Sequence, residues 1–198
     1  MRNRSTGQMT KYKVLEIATQ LINEKGFSKT SINDIVRATG VKKGNLYFHF
    51  SSKDELGLAV LEKAKRDFST FLRASLRGEN PIDRLSNFLD AVFEKHRRAR
   101  FVGGCLFGNT ALELSDSNDV FTQFLAEVFL EWVESLAEVV REAYESGDLK
   151  AQFPPNVLAK HIVASIEGGI MMSRLTKNGD HLRDCLNALR ISLGIDQK

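Results

Sequence analysis

Residues 30–50 read TSINDIVRATGVKKGNLYFHF, and the spacing within this stretch decides how the rest of the chain is read. Ile32, Ile35 and Val36 form one apolar stripe at helical spacing. Ala38, Thr39, Gly40 and Val41 interrupt it, and Leu46 and Phe50, four apart, resume it. Two short helices joined by a tight turn are predicted. Gly40 supplies the positive φ that such a turn needs, and Val41 plugs the angle between the helices. The second helix then exposes Lys42, Lys43, Gly44, Asn45, Tyr47 and His49, a face of donors and small surface suited to phosphates and base edges. A helix-turn-helix DNA reader accounts for this pattern; a helical hairpin with lysines on its wet face is the plainer alternative.

The longer run Gly40 to Leu56, GVKKGNLYFHFSSKDEL, closely resembles the signature of the TetR family of bacterial transcriptional regulators. The Leu-Tyr-aromatic-His-Phe run at Leu46 to Phe50, the Ser-Lys pair at Ser52 and Lys53, and Leu56 carry the match, which extends over Lys11 to Leu61. The resemblance implies an all-α fold: a three-helix DNA-binding domain in residues 1–53, then a helical effector-binding and dimerisation domain in residues 54–198. It also implies a homodimeric regulator, usually a repressor, that binds a palindromic operator and leaves it when a small molecule occupies the C-terminal domain. In the family, residues matching Tyr47 and Lys53 hold phosphates, which suits a phenol and an ammonium as sequence-blind donors.

One departure falls at Lys42, where many relatives carry Ser or Thr to cap the recognition helix. Lysine cannot accept that hydrogen bond, so Lys42 is expected at a phosphate or guanine edge and the helix start is expected to be poorly capped. Lys43, Gly44 and Asn45 are the other candidates for base contact, with Gly44 allowing close backbone approach. Thr30 and Ser31 stand where the first helix of the motif begins, to cap it or to hold a phosphate. His49 is either a phosphate donor or a structural tip.

Charge supports the division. Residues 1–53 carry 10 Lys/Arg against 3 Asp/Glu, whereas residues 54–198 carry 18 against 22. Positive charge is concentrated where a nucleic-acid footprint needs it, because neutralising phosphates releases condensed counterions. With 198 residues and 42% hydrophobic content, the chain can bury a sizeable core. It contains no apolar run near the ~18 residues of a membrane span and no signal-peptide apolar region, so a cytoplasmic location is expected. Two cysteines, Cys105 and Cys185, point to reduced thiols rather than a disulfide framework.

Along the chain, Arg2 and Arg4 belong to a polar N-terminal tail. Thr10 is the expected cap of a bracing helix with Val14, Ala18, Leu21 and Ile22 on its inner face, ended by Gly26. Phe27 anchors the following loop against Ile35, Leu46 and Phe50. Ser51, Ser52, Asp54 and Glu55 open a long connecting helix in the manner of a capping box. Pro81 starts the next helix, and Arg97, Arg98 and Arg100 are cations suited to its C-terminal end. Phe101 to Asp116, FVGGCLFGNTALELSD, brings Cys105, Phe107, Asn109 and Glu113 into one short glycine-rich region, and with Trp132 these are the expected wall of an effector pocket. The Gly-Cys-Leu-Phe-Gly-Asn run also resembles a segment in those TetR-type regulators that sense electrophiles through a cysteine. That implies a sensor role for Cys105; a buried small hydrophobe with an inert thiol is the alternative.

Residues 119–146 form one amphipathic helix of about 40 Å. Glu127, Glu131, Glu134, Glu138 and Glu145 lie opposite its apolar face. Pro154 and Pro155 open the next helix, whose mid-helix Gly168 and Gly169 call for close packing by another helix. The last two helices, residues 155–177 and 180–193, offer more apolar surface than one domain covers; in the resembled family this pair forms a homodimer interface. Two other functions are open on the sequence: a DNA-binding dimer without ligand control, and an α-helical enzyme. The enzyme would need a nucleophile with its base, a metal cluster or a phosphate loop, yet the 4 His are scattered and Cys105 has no sequence-defined base. No cofactor or metal is expected.

Overall fold

The structure is a computed structural model that describes residues 6–195; the tail residues Arg2 and Arg4 lie outside the described residues. Among the described residues the chain is entirely helical: α1 (Thr6–Lys25), α2 (Ile32–Thr39), α3 (Lys43–His49), α4 (Lys53–Ser75), α5 (Pro81–Arg98), α6 (Leu106–Leu114), α7 (Asp119–Glu145), α8 (Pro155–Thr176) and α9 (Asp180–Ser192). Helix α1 begins a turn before the cap expected at Thr10, since Gln8 and Met9 are fair helix formers and Gly7 costs only about 1 kcal/mol.

The chain divides into two compact units. The first takes residues up to Asp67 together with Leu106–Thr122, and the second takes Phe68–Cys105 and the chain from Gln123 onward. The first unit is therefore larger than the segment 1–53 read from the sequence. It adds residues 54–67 of α4 and the whole of α6, a helix that the glycines of residues 103–108 conceal in the sequence.

The core of the first unit contains Val14, Ala18, Ile22, Phe27, Ile35, Leu46 and Phe50, joined by Leu56, Val60, Leu61, Leu114 and Phe121, all buried. The Phe27 and Phe121 rings lie 5.0 Å apart. They fit only because Gly57 has no side chain: a Cβ there would overlap the Phe27 ring and stand 2.9 Å from Cζ of Phe121. Burying each such ring stabilises the unit by roughly 1.5–3 kcal/mol.

In the second unit, α5, α7, α8 and α9 surround a core that includes Phe88, Leu89, Leu136, Ile162, Ile166 and Leu182. Asn80 caps α5 by accepting from Asp83 N–H at 2.8 Å, with Pro81 at the first helical position. Helices α8 and α9 pack at Gly169, where a Cβ would lie 3.0 Å from Leu182 Cδ1 and 3.2 Å from Cys185 Cβ. At Gly168 a Cβ would have open space, meeting nothing within 4 Å among the described residues beyond its chain neighbours and its own helix backbone. The α9 guanidinium of Arg190, only 9% exposed, donates to Ser86 Oγ at 2.7 Å and to Asp90 Oδ1 at 2.7 Å, fixing α9 to α5. The glutamate row of α7 is exposed as expected.

Candidate nucleic-acid interface and effector site

The turn before α3 forms as its residues dictate. Gly40 adopts φ 67° and its N–H closes onto Val36 O, while Thr39, buried, donates from Oγ1 to Ile35 O at 2.7 Å. Leu46 and Phe50 turn inward. That rotation leaves Lys42, Lys43, Gly44, Asn45, Tyr47 and Phe48 exposed on one short helix, with His49 half-buried. Lys42 occupies the N-cap of α3 in an extended conformation (φ −60°, ψ 140°) and makes no side-chain capping bond, as its chemistry requires. Among the described residues a Cβ at Gly44 would meet nothing within 4 Å beyond its chain neighbours and its own helix backbone, so backbone can approach a groove there. Lys43 Nζ lies 5.9 Å from the Tyr47 ring centroid. Phe48, named in the sequence only as part of a motif, is 85% exposed and adds an apolar surface to this face.

The expected phosphate donors divide. Thr30 is fully buried and its Oγ1 donates to Gly26 O at 2.7 Å, so its hydroxyl is spent inside the unit and does not reach a phosphate. Ser31 is the N-cap of α2 in a reciprocal capping box with Asp34: Oγ accepts from Asp34 N–H at 3.1 Å, and Ser31 N–H donates to Asp34 Oδ2 at 3.0 Å. Hydrogen bonds from Ser31 hold the Asp34 carboxyl below its usual value. Capping, the alternative weighed for these positions, describes Ser31; the Thr30 hydroxyl caps nothing at the start of α2 and is bonded to Gly26 O instead. Lys53 is placed by Nζ donating to Ser28 O at 3.2 Å and lying 4.5 Å over the Phe27 ring, which fixes an ammonium at the start of α4.

The five residues expected to share a pocket fall in two units. Phe107, Asn109 and Glu113 lie on α6 in the first unit, whereas Cys105 and Trp132 belong to the second. Asn109 Nδ2 donates to Asn23 Oδ1 at 3.3 Å, and Phe107 is buried. Glu113 accepts from Phe27 N–H at 2.8 Å and Ser28 N–H at 2.6 Å, clamping the turn between α1 and α2. Burial pushes its carboxyl up, but the bonds from Ser28 and Phe27 and the Lys53 charge outweigh this and leave it below its usual value. Glu113 is thus an internal clamp rather than a pocket wall.

A different group assembles in the second unit. Trp132 is 3% exposed and stands edge-on to Phe68 at 5.1 Å; Phe68 stacks on Phe71 at 6.2 Å, and Lys95 Nζ lies 5.6 and 4.9 Å from those two ring centroids. Glu167 reaches the same region from α8. Burial raises its carboxyl above the usual range, while a hydrogen bond from Cys105 and the Lys95 charge act against that rise. Trp132 Nε1 and Glu167 Oε1 are buried and have no hydrogen-bond partner among the described residues. Sequence reasoning missed Glu167, although Val163, Ile166 and Ile170 place it at helical spacing on an apolar face, where a carboxylate is out of place.

A helix-turn-helix face joined to a helical body defines a transcriptional regulator. The chain belongs to the TetR family: "Bacterial regulatory proteins, tetR family" matches residues 14–60, and "Tetracyclin repressor-like, C-terminal domain" matches residues 81–189. It is 31% identical to the HTH-type transcriptional repressor DhaR of Mycobacterium sp. (strain GP1), covering 89% of this chain and 88% of that protein. It is 34% identical to the transcriptional regulator AcuR of Cereibacter sphaeroides, covering 81% and 74%. Among solved structures, a TetR transcriptional regulator from Chloroflexus aurantiacus superposes with a TM-score of 0.89 at 31% identity, covering 96% of this chain and 97% of that one. This family membership decides for a DNA-binding regulator over a helical enzyme. No helix among the described residues is long and apolar enough to cross a membrane.

Proposed function

We propose that the protein is a cytoplasmic repressor that binds a palindromic operator as a homodimer and releases it when a small molecule enters the second unit. The exposed face of α3 carries this reading. Lys42, Lys43, Gly44 and Asn45 read base edges, Phe48 offers apolar contact to a thymine methyl, and Tyr47, Lys53 and His49 hold phosphates. A two-fold dimer presents two such helices to two half-sites, which makes the operator an inverted repeat.

The last two helices support dimerisation. Met171, Leu175 and Ile191 are 58%, 83% and 70% exposed, and Gly168 leaves backbone open beside them. Ligand control is supported by the two buried polar atoms without partners, on Trp132 and Glu167. A ligand acts only through its preference for one state; moving a 1:99 population to 99:1 takes about 5.5 kcal/mol of such preference.

The test is a mobility shift at defined salt on DNA from immediately upstream of the protein's own coding region, with unrelated duplex as competitor. Competitor-resistant binding of two protomers per site is expected. Binding equal on all sequences contradicts the assignment.

A further inference from the structure

We infer that α3 reads one thymine in each half-site through its 5-methyl group, which enters the open space over Gly44 beside the Phe48 ring. This rests on the reading of α3 given above and adds the base and the atom by which that base is recognised.

The outward face of α3 is built around this space. Leu46 and Phe50 turn into the core, so at about 100° per residue the direction opposite them belongs to Gly44 and Phe48. These two are four apart and therefore neighbours on one side of the helix. Phe48 is 85% exposed, so its ring takes no part in the core and is free to meet a partner.

The space is both clear and apolar. A Cβ at Gly44 would meet nothing within 4 Å among the described residues beyond its chain neighbours and its own helix backbone. The side chains on either hand are engaged elsewhere. Lys43 Nζ lies 5.9 Å from the Tyr47 ring centroid, and the Phe48 ring stands edge-on to His49 at 5.3 Å. An incoming group meets the bare backbone of Gly44 and a phenyl ring.

Base chemistry then chooses the guest. In the major groove every base presents hydrogen-bonding atoms, and thymine alone of the four adds a methyl group. An amino or keto edge set against Phe48 gives up its water without gaining a partner, whereas a methyl group gives up nothing and removes apolar surface from water on both sides. Asn45 stands three residues before Phe48, about 4.5 Å along the helix axis, and base pairs rise about 3.4 Å each. The thymine therefore lies within two base pairs of the position that Asn45 reads.

Uracil differs from thymine only in lacking this methyl group, so it tests the inference at a single atom. DNA from upstream of the protein's own coding region, with deoxyuridine replacing thymidine one position at a time, is titrated with the full-length protein in mobility shifts. One position per half-site is expected to weaken binding about fourfold on replacement, and about 15-fold when both half-sites are changed. At that position 5-methylcytosine is expected to bind about fourfold tighter than cytosine, since it carries the same methyl group. Phe48→Ala weakens binding of the thymine duplex and removes most of the difference from uracil, while Phe48→Leu, still apolar, keeps most of it. Gly44→Ala fills the space, and the uracil duplex then binds at least as well as the thymine duplex. Melting temperatures equal to wild type show that these surface variants are folded. A uracil penalty that persists in full in Phe48→Ala, or the absence of any thymine that responds, overturns the inference and leaves the regulator reading standing on its competitor-resistant binding. Binding no tighter than to unrelated duplex overturns both.

Discussion

The Glu113 carboxylate takes the backbone N–H of Phe27 at 2.8 Å across 86 residues of sequence, and that of Ser28 at 2.6 Å. A side chain on α6 thereby holds the turn that sets α2 and, through Lys53 on Ser28 O, the start of α4. A residue outside the helix-turn-helix fixes its geometry.

Removing that clamp separates its effect from local packing. Glu113→Ala is expected to cost about 1–2 kcal/mol, allowing for partial exposure, and to weaken operator binding although it touches no DNA. Glu113→Gln keeps an acceptor and is expected to lose less. The carboxyl is held below its usual value, so its contribution is present at neutral pH and falls away as pH drops below about 4.5. Urea midpoints of wild type and Glu113→Gln against pH check this: the two curves converge in acid.

His96 gives a second pH dependence at a higher range. Burial, with the neighbouring Lys95 charge, pushes its imidazole down from 6.5 to about 4. The unfolded chain therefore binds the proton first, and stability falls as pH drops from 6.5 toward 4, by roughly 3 kcal/mol in all. His96→Gln is expected to flatten that part of the stability profile in urea titrations. An unchanged slope shows that His96 is not the group responsible.

Gly57→Ala places a methyl group against the Phe27 and Phe121 rings. Overpacking of this kind costs about 1–3 kcal/mol, more than the modest gain of alanine in a helix. Thermal melting is expected to show net destabilisation, whereas Gly44→Ala, with open space around it, is expected to be tolerated for folding and to weaken DNA binding.

At the start of α3, Lys42→Ser introduces the missing cap at a residue already extended. Stability is expected to rise by about 0.5–2 kcal/mol while operator affinity falls, a trade that chemical denaturation and mobility shift measure independently. Lys53→Ala is expected to reduce the slope of log affinity against log salt by about 1.8, two lost phosphate contacts at about 0.9 each, one from each protomer of the dimer.

The reader was legible in the sequence because its constraints are local. Gly40 closes the turn, Leu46 and Phe50 face inward, and Lys42 fails to cap, each as its own chemistry requires. The amphipathic face of α7, the break at Pro81 and the close packing at Gly169 were legible for the same reason. Other features depend on partners distant in the chain. Glu113 looked like a pocket carboxylate beside Cys105, but one helix carries it to Phe27. Thr30 looked available to a phosphate until Gly26 O took its hydroxyl. On α9 the apolar Ile191 is exposed while the charged Arg190 beside it is buried on Ser86 and Asp90. No local pattern announces that an arginine will find its partners 100 or more residues away.

The central claim, that α3 reads base edges as one of a symmetric pair, is tested most directly by selecting duplexes from a random-sequence pool with wild-type protein and with Asn45→Ala. The account predicts that wild type enriches an inverted repeat and that Asn45→Ala changes the preferred base at matching positions in both half-sites. Enrichment of no common sequence, or the same repeat with both proteins at uniformly lower recovery for the variant, contradicts it.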